Sequence, residues 1–289
     1  MIVNLLIGAL MVGSVYALLA LGYSLIYRAS NLMTFMQGAL FMIGSFLGLT
    51  FYKNMQMPFV AAFVLTVLIM FGFGMLLETC IIRPLLNKGA VFIYIVLATI
   101  ALSTILENSA MFVWGSNTFQ FPQIFSQAFV EIGSVRIAPE LLLALGVALV
   151  CMVLLHFFMG KTRFGTAMRA AAQDPTAAGS MGINVSLTTG VTWGIAAALA
   201  ACGGILYGPV YGVNMSMGSS LGLKGFAGAV IGGYGNMYGA IVGSLLLGVI
   251  ETFVAGYISS AYKDFIAFGL LILILFIKPR GLLKSDIIK

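Results

Sequence analysis

The sequence predicts an all-α, polytopic integral membrane protein with about eight to ten transmembrane helices. Three observations carry this. Of 289 residues, 61% are hydrophobic and 8% are charged. A soluble domain carries about 25% charged residues, so this chain lacks the polarity to cover a water-facing surface. Apolar runs of roughly 20 residues, the length that crosses a bilayer, recur along the chain. Most of the cations fall between those runs, on alternate loops, which is how the positive-inside rule sets topology. The net charge of +6 therefore speaks for orientation in a membrane and against a nucleic-acid partner.

Taken in order, the spans are expected at 3–27, 35–52, 58–82, 91–114, 139–159 and 187–207, then an irregular Gly-dense crossing at 218–235, then 238–257 and 265–277. The opening MIVNLLIGAL has no basic stretch and no small-residue cleavage site, so it reads as the first span. Arg28, Arg83 with Lys88, the Lys161/Arg163/Arg169 cluster and the Lys278/Arg280/Lys284/Lys289 tail are all expected on the cytoplasmic side. Nine crossings satisfy that, with the N-terminus outside; a re-entrant 218–235 would break the parity. The whole chain, 1–289, reads as one transmembrane domain.

Two loops stand out. The outer one, 115–138, has short alternating pieces, FQFP, QAFVEI and VRIAP, with Gly133-Ser134 as a turn, and predicts a small extracytoplasmic hairpin. A plain solvated loop is the alternative. The inner one, 161–184, is the longest run that could not sit in a bilayer. Asp174-Pro175 reads as a helix start, Asp as N-cap and Pro at the first helical position. A short helix over 176–181 should follow, stopped by Gly182. A small-residue helix on the basic side is suited to touch a soluble partner.

Gly- and Ser-interrupted hydrophobic stretches recur at 30–48 and 218–239, corresponding places in the two halves. Such a pair points to a transport pathway, because unwound backbone is tolerated only beside protein or a water-filled cavity. The glycines also fit close helix packing, with small residues four apart. Thr34, Gln37, Ser219, Ser220 and Asn236 favour the pathway. Among the intramembrane acids, Glu78 has Arg83 five residues on as a structural ion-pair partner. Glu107 lies in a span, and Glu251 sits deeper with no partner nearby in sequence. His156 reads as packed or snorkelling. Cys80, Cys151 and Cys202 are isolated from one another, without metal-ligand spacing, so no metal is expected. No phosphate loop, HExxH, CxxC or GxSxG motif occurs, so any ATP chemistry must belong to another polypeptide.

The stretches TFMQGALFMIGSF, ETCIIRPL, TRFGTAMRAAAQDPTAAGSMGIN, GLKGFAGAVIGGYGNMYGAIVGSLLLGVIET and KPRGLL resemble, in order and over essentially the whole chain, the permeases of branched-chain amino acid ABC importers. The length and ending are similar to the shorter of the two permeases in such systems. The resemblance implies a multi-pass subunit of the bacterial inner membrane with no enzymatic activity and no cofactor of its own. It implies a second permease (a longer paralogue or a second copy), two cytoplasmic ATPases holding ATP and Mg, and a periplasmic substrate-binding protein.

It also implies that 170–182 is the coupling loop seated on the ATPase, with Arg169, Asp174, Pro175, Ala177, Ala178, Gly179, Met181 and Gly182 as contact residues. The pathway candidates are Thr34, Phe35, Gln37, Gly38, Ser219, Lys224, Gly225, Gly228 and Glu251. One departure is that the family's N-F-A-H-G motif reads Thr34-Phe35-Met36-Gln37-Gly38 here, with Ala39 where an acid often follows. Hydrophobic amino acids are the expected substrates, moved by alternating access; urea, short amides or another small solute are the alternative. Rival classes are a stand-alone ion-coupled transporter using Glu251 and an integral-membrane transferase.

Overall fold

The computed structural model describes residues 2–122, 124–125, 130–132, 135–137 and 139–283. Its elements are α1 (Ile2–Ser30), α2 (Gln37–Leu49), α3 (Phe59–Leu77), α4 (Arg83–Asn87), α5 (Phe92–Trp114), β1 (Val130–Ile132), β2 (Val135–Ile137), α6 (Pro139–Lys161), α7 (Arg163–Gln173), α8 (Pro175–Ser180), α9 (Val185–Tyr211), α10 (Met217–Gly232), α11 (Met237–Tyr257) and α12 (Lys263–Ile277). Wider π-type turns extend α2 over Thr50–Asn54 and join α3 to α4 over Glu78–Ile82.

Among the described residues, six helices are long and apolar enough to cross a membrane: α1, α3 with its continuation, α5, α6, α9 and α11. The other apolar helices are α2, with 13 residues and five more in its continuation, α10 with 16 and α12 with 15. At 1.5 Å per residue that is roughly 22–27 Å, short of the roughly 30 Å hydrocarbon core.

The centre of the bundle is built from small residues. In α9 the run Gly194–Gly204 carries mostly Ala and Gly, and two helices lie directly on it. A Cβ at Gly204 would fall 2.2 Å from the Phe41 carbonyl oxygen of α2, and one at Gly74 of α3 would fall 2.6 Å from that of Trp193. On the other side, α1 and α11 run antiparallel: Gly13 faces Ser244 and Leu245, Gly248 faces Gly13 and Ala9, and Gly256 faces Leu5. Glycines let these backbones meet, which gives dispersion contacts and shared burial where lipid offers no hydrophobic drive between helices. Consequently α1 and α9 are mostly buried, whereas few residues of α5 and α6 are.

The cationic loop ends gather at one end of the bundle. Arg28, Gly160, Arg169 and Tyr238 line one cleft, and the Arg83 guanidinium donates to the Ser186 carbonyl just inside α9. The backbone at Arg280 and Leu283 packs on Gly233. This is the grouping expected from the charge pattern. At the opposite end, Trp114 Nε1 donates to Thr50 Oγ1 at 2.8 Å, and Phe119 pairs with Val213 in an antiparallel bridge. The strands β1 and β2 pair antiparallel, Val130 opposite Ile137 and Glu131 opposite Arg136. The expected turn at 133–134 lies outside the described residues, as do Lys284 and Lys289.

Three expectations need correction. The stretch 218–235 is not irregular: α10 is a continuous helix through Gly232, ended by Gly233 at φ +118°. Its glycines meet neighbouring backbone instead of unwinding. The stretch 161–184 holds a further helix, α7, capped by Thr162 Oγ1 accepting from the Gly165 amide at 3.0 Å. Its period was legible in the sequence, since Phe164, Met168 and Ala171 recur at helical spacing and Gly165, Met168 and Ala171 are buried. Cys151 and Cys202 are not isolated from one another, since α6 against α9 brings both into one apolar cluster and onto the wall of one pocket. As expected, Glu251 has no partner nearby in sequence; its partners come from other helices and are described below.

Candidate functional site

The real break in the membrane-embedded backbone is 31–36, between α1 and α2. Asn31 takes φ +56°, and the chain turns back along α1. α2 starts beside Gly22, eight residues before the end of α1, which is about 12 Å up from the basic end. The backbone groups freed by the break find side chains: Phe35 N donates to Thr99 Oγ1 of α5 at 3.3 Å, and Met36 N to Thr34 Oγ1 at 3.3 Å. Such pairing is the condition for non-helical backbone at membrane depth. Gln37 is fully buried and donates from Nε2 to the Ala196 carbonyl at 3.3 Å, leaving its Oε1 without a partner. Gly22 makes room for that amide, because a Cβ there would lie 2.1 Å from Gln37 Nε2.

α10 crosses α2 at backbone contact. A Cβ on Gly38 would fall 2.1 Å from the Gly218 carbonyl oxygen, and one on Gly222 would fall 2.7 Å from the Gly38 Cα. The Tyr23 hydroxyl ties the crossing by donating to the Gly222 carbonyl at 3.1 Å. A cavity of about 310 Å³ opens beside this crossing, lined by Tyr23, Phe35, Gly38, Ser103, Glu107 and Ser219 among others. Its walls come from α1, the 31–36 break, α5 and α10. It has hydroxyls, one carboxyl and aromatic surface, and the adjoining face of α5 carries exposed Ile100 and Ile105.

The other side of α10 carries charge. Lys224 Nζ stands 2.5 Å from Glu251 Oε1 of α11 and 2.8 Å from Asp264 Oδ1 of α12. Glu251 also accepts from the Tyr16 hydroxyl at 2.9 Å, and Lys263 Nζ approaches it at 3.9 Å. The Lys224 and Glu251 side chains are 5% and 7% exposed. Burying either alone would be costly; together, with hydrogen bonds to spare, they form a neutral set. A second cavity of about 300 Å³ adjoins them, with Tyr207 and Tyr211 on its wall.

The predicted pathway residues thus divide. Phe35, Gly38 and Ser219 line the first cavity, and Lys224 and Glu251 line the second. Thr34 and Gln37 are buried and line neither. Gly225 and Gly228 pack against Leu19 and Ser244 and line neither. Glu78 and Arg83 form the expected ion pair, and Thr189 Oγ1 donates to the same carboxylate at 2.9 Å. His156 is exposed, its Nδ1 against the Tyr238 hydroxyl.

At the basic end, α8 is capped as the sequence predicts. Asp174 Oδ1 accepts from the amides of Thr176 and Ala177 at 2.9 and 3.0 Å, Pro175 opens the helix, and Gly182 follows it at φ +83°. Only Ala178 of this helix is buried; Asp174, Pro175, Ala177, Gly179, Met181 and Gly182 are exposed, Met181 at 84%. Arg169 lies one helix back, in α7, donating to the Met159 carbonyl.

Comparison with known proteins places this architecture. The family model described as branched-chain amino acid transport system, permease component, matches residues 5–275. The chain belongs to this permease family. It is 36% identical over 291 residues to the high-affinity branched-chain amino acid transport system permease protein BraD of Pseudomonas aeruginosa, covering 96% of this chain and 94% of the relative. To the LivH permease protein of Escherichia coli K12 it is 33% identical over 284 residues, 94% and 92% covered. Among solved structures, PsaBC from Streptococcus pneumoniae in complex with Fab is similar in fold, with a TM-score of 0.50 at 16% identity over 96% of this chain and 91% of that one.

Sequence reasoning missed several residues of the permease's cavities. Ser103 and Thr104 on α5 form one polar stripe at helical spacing with Glu107, the acid already noted in that span, and that stripe was a usable signal. Tyr16, Lys263 and Asp264 carried none: Tyr16 is 235 residues from Glu251.

Proposed function

We propose that this permease is the membrane-spanning subunit of an ATP-binding-cassette importer in the bacterial inner membrane, moving branched-chain or other hydrophobic amino acids inward by alternating access. The observation that carries it is α8. A helix of six residues cannot hold itself in water, yet this one is capped at both ends and leaves nearly all its surface uncovered beside the basic end. That is the form of a docking element. The resemblance of 170–182 to a coupling loop supplies the partner, a soluble ATPase, of which two would bind beneath two permeases.

In this reading the basic end is cytoplasmic and nine crossings result, the six long helices plus α2, α10 and α12. The β1–β2 hairpin is extracytoplasmic and helps seat a periplasmic binding protein. The second permease, a longer paralogue or another copy, covers the exposed α5 face and closes the first cavity, which becomes the route for substrate. Its mix of aromatic surface with Ser103, Ser219 and Glu107 suits a small solute with an apolar side chain and a polar head. ATP-driven movement of the ATPases would reach α10 and α2 through α7, α8 and α9. The stand-alone ion-coupled reading loses its main support, since Glu251 is already neutralised by Lys224.

The test is reconstitution in proteoliposomes with a second permease, the ATPase and the binding protein of such an importer, measuring leucine uptake and ATP hydrolysis. Asp174→Lys and Gly182→Trp should leave the permease folded and abolish uptake, with hydrolysis no longer stimulated by loaded binding protein. Wild-type uptake in both variants would remove the coupling role, and uptake without any ATPase would overturn the class.

A further inference from the structure

A cleft at the basic end lies apart from both cavities. It forms where the last turns of α1 and α6 meet α7 and the first turn of α11, and holds about 160 Å³. Its walls are apolar, with Leu21, Met152 and Ile241, and Arg28, Arg169, His156 and Tyr238 line it as well. Two guanidiniums share this cleft without a carboxylate. Arg169 donates to neutral acceptors, the Met159 carbonyl and Thr166 Oγ1. Arg28 is half-buried and forms no ion pair among the described residues.

Two like charges against an apolar wall are unfavourable until an anion joins them. The same wall runs on into the outward face of α6, where Leu149, Val150, Val153 and Phe157 are exposed and meet hydrocarbon in a spanning helix. Tyr238, 57% exposed, is the kind of amphipathic ring that marks the headgroup level. An anion that satisfies both the arginines and this wall carries acyl chains. Basic pockets between helices on the cytoplasmic side bind anionic headgroups in this manner, and the guanidinium fork matches phosphate oxygens.

We propose that this cleft binds one anionic phospholipid, its phosphate between Arg28 and Arg169 and a chain along Met152 and the outer face of α6. Because Arg169 belongs to α7, the lipid would tie the segment that carries α8 to α1 and α6. The proposal rests on membrane insertion and not on the transport reading.

The full chain, delipidated in detergent, is titrated with dioleoyl phosphatidylglycerol, dioleoyl phosphatidylcholine or inorganic phosphate and followed by native mass spectrometry. Phosphatidylglycerol should be retained over phosphatidylcholine. Arg28→Gln should weaken it by about tenfold, the loss of one charge-assisted contact, and Arg28→Lys should restore part of that. Arg28 anchors no other described group, so both variants should elute as the wild type does on size exclusion. Equal retention of the two lipids, an unchanged affinity in Arg28→Gln, or displacement of phosphatidylglycerol by millimolar inorganic phosphate would each overturn the assignment; the last would make it a free-phosphate site.

Discussion

Removing Lys224 tests how the charged side of α10 is held. In Lys224→Met, Glu251 stays almost fully buried with only the Tyr16 hydroxyl at 2.9 Å and Lys263 at 3.9 Å. Breaking a buried ion pair from one side typically costs about 3–5 kcal/mol, because a charge is stranded. The two surviving contacts put this variant at the low end, about 3 kcal/mol. Glu251→Gln is gentler: the amide still accepts from Tyr16, and Lys224 keeps Asp264, whose side chain is 52% exposed and solvated. We expect a loss of about 1–2 kcal/mol there. The double variant Lys224→Met/Glu251→Leu strands no buried charge and should recover most of the stability lost in Lys224→Met. At roughly 2–4 °C per kcal/mol for a chain of 150–250 residues, Lys224→Met should unfold about 6–12 °C early. Thermal unfolding of the three purified variants in one detergent decides the matter. A double variant no more stable than Lys224→Met would refute the reasoning, since the stranded Glu251 charge would then not be the source of the loss.

Two further outcomes follow from packing. On α3, Gly74→Val drives a side chain into the Trp193 carbonyl and Ala197 at 2.6 Å, whereas Gly72, two residues away, has nothing within 4 Å of its Cβ position. Gly74→Val should cost about 1–3 kcal/mol as an overpacked site and Gly72→Val under about 0.5 kcal/mol, read as the difference in unfolding temperature between the two. Ser219→Trp places an indole in the 310 Å³ cavity beside the α2–α10 crossing. Uptake in proteoliposomes should fall by more than tenfold with the unfolding temperature unchanged; normal uptake would place the route elsewhere.

Much of the helical frame was legible because lipid forces it: every span must be an apolar helix, and charges must stay at its ends. The α8 cap was legible for a local reason, Asp174 and Pro175 being adjacent to the amides they organise. The regularity of α10 was not. Its glycines look helix-breaking in sequence, and only the Gly38, Leu19 and Ser244 surfaces around it show that they serve contact.

The sequence by itself determined the membrane class, the grouping of cations at one end and the capped helix α8, since these follow from hydrophobicity, charge placement and capping over a few neighbouring residues. Only the tertiary structure decided what Glu251 does. Its partners sit on α1, α10 and α12, up to 235 residues away, and no local pattern specifies such a meeting. The same holds for the pairing of Arg28 with Arg169 in one cleft: distance in space, not in sequence, determines whether two charges repel, pair or wait for a third.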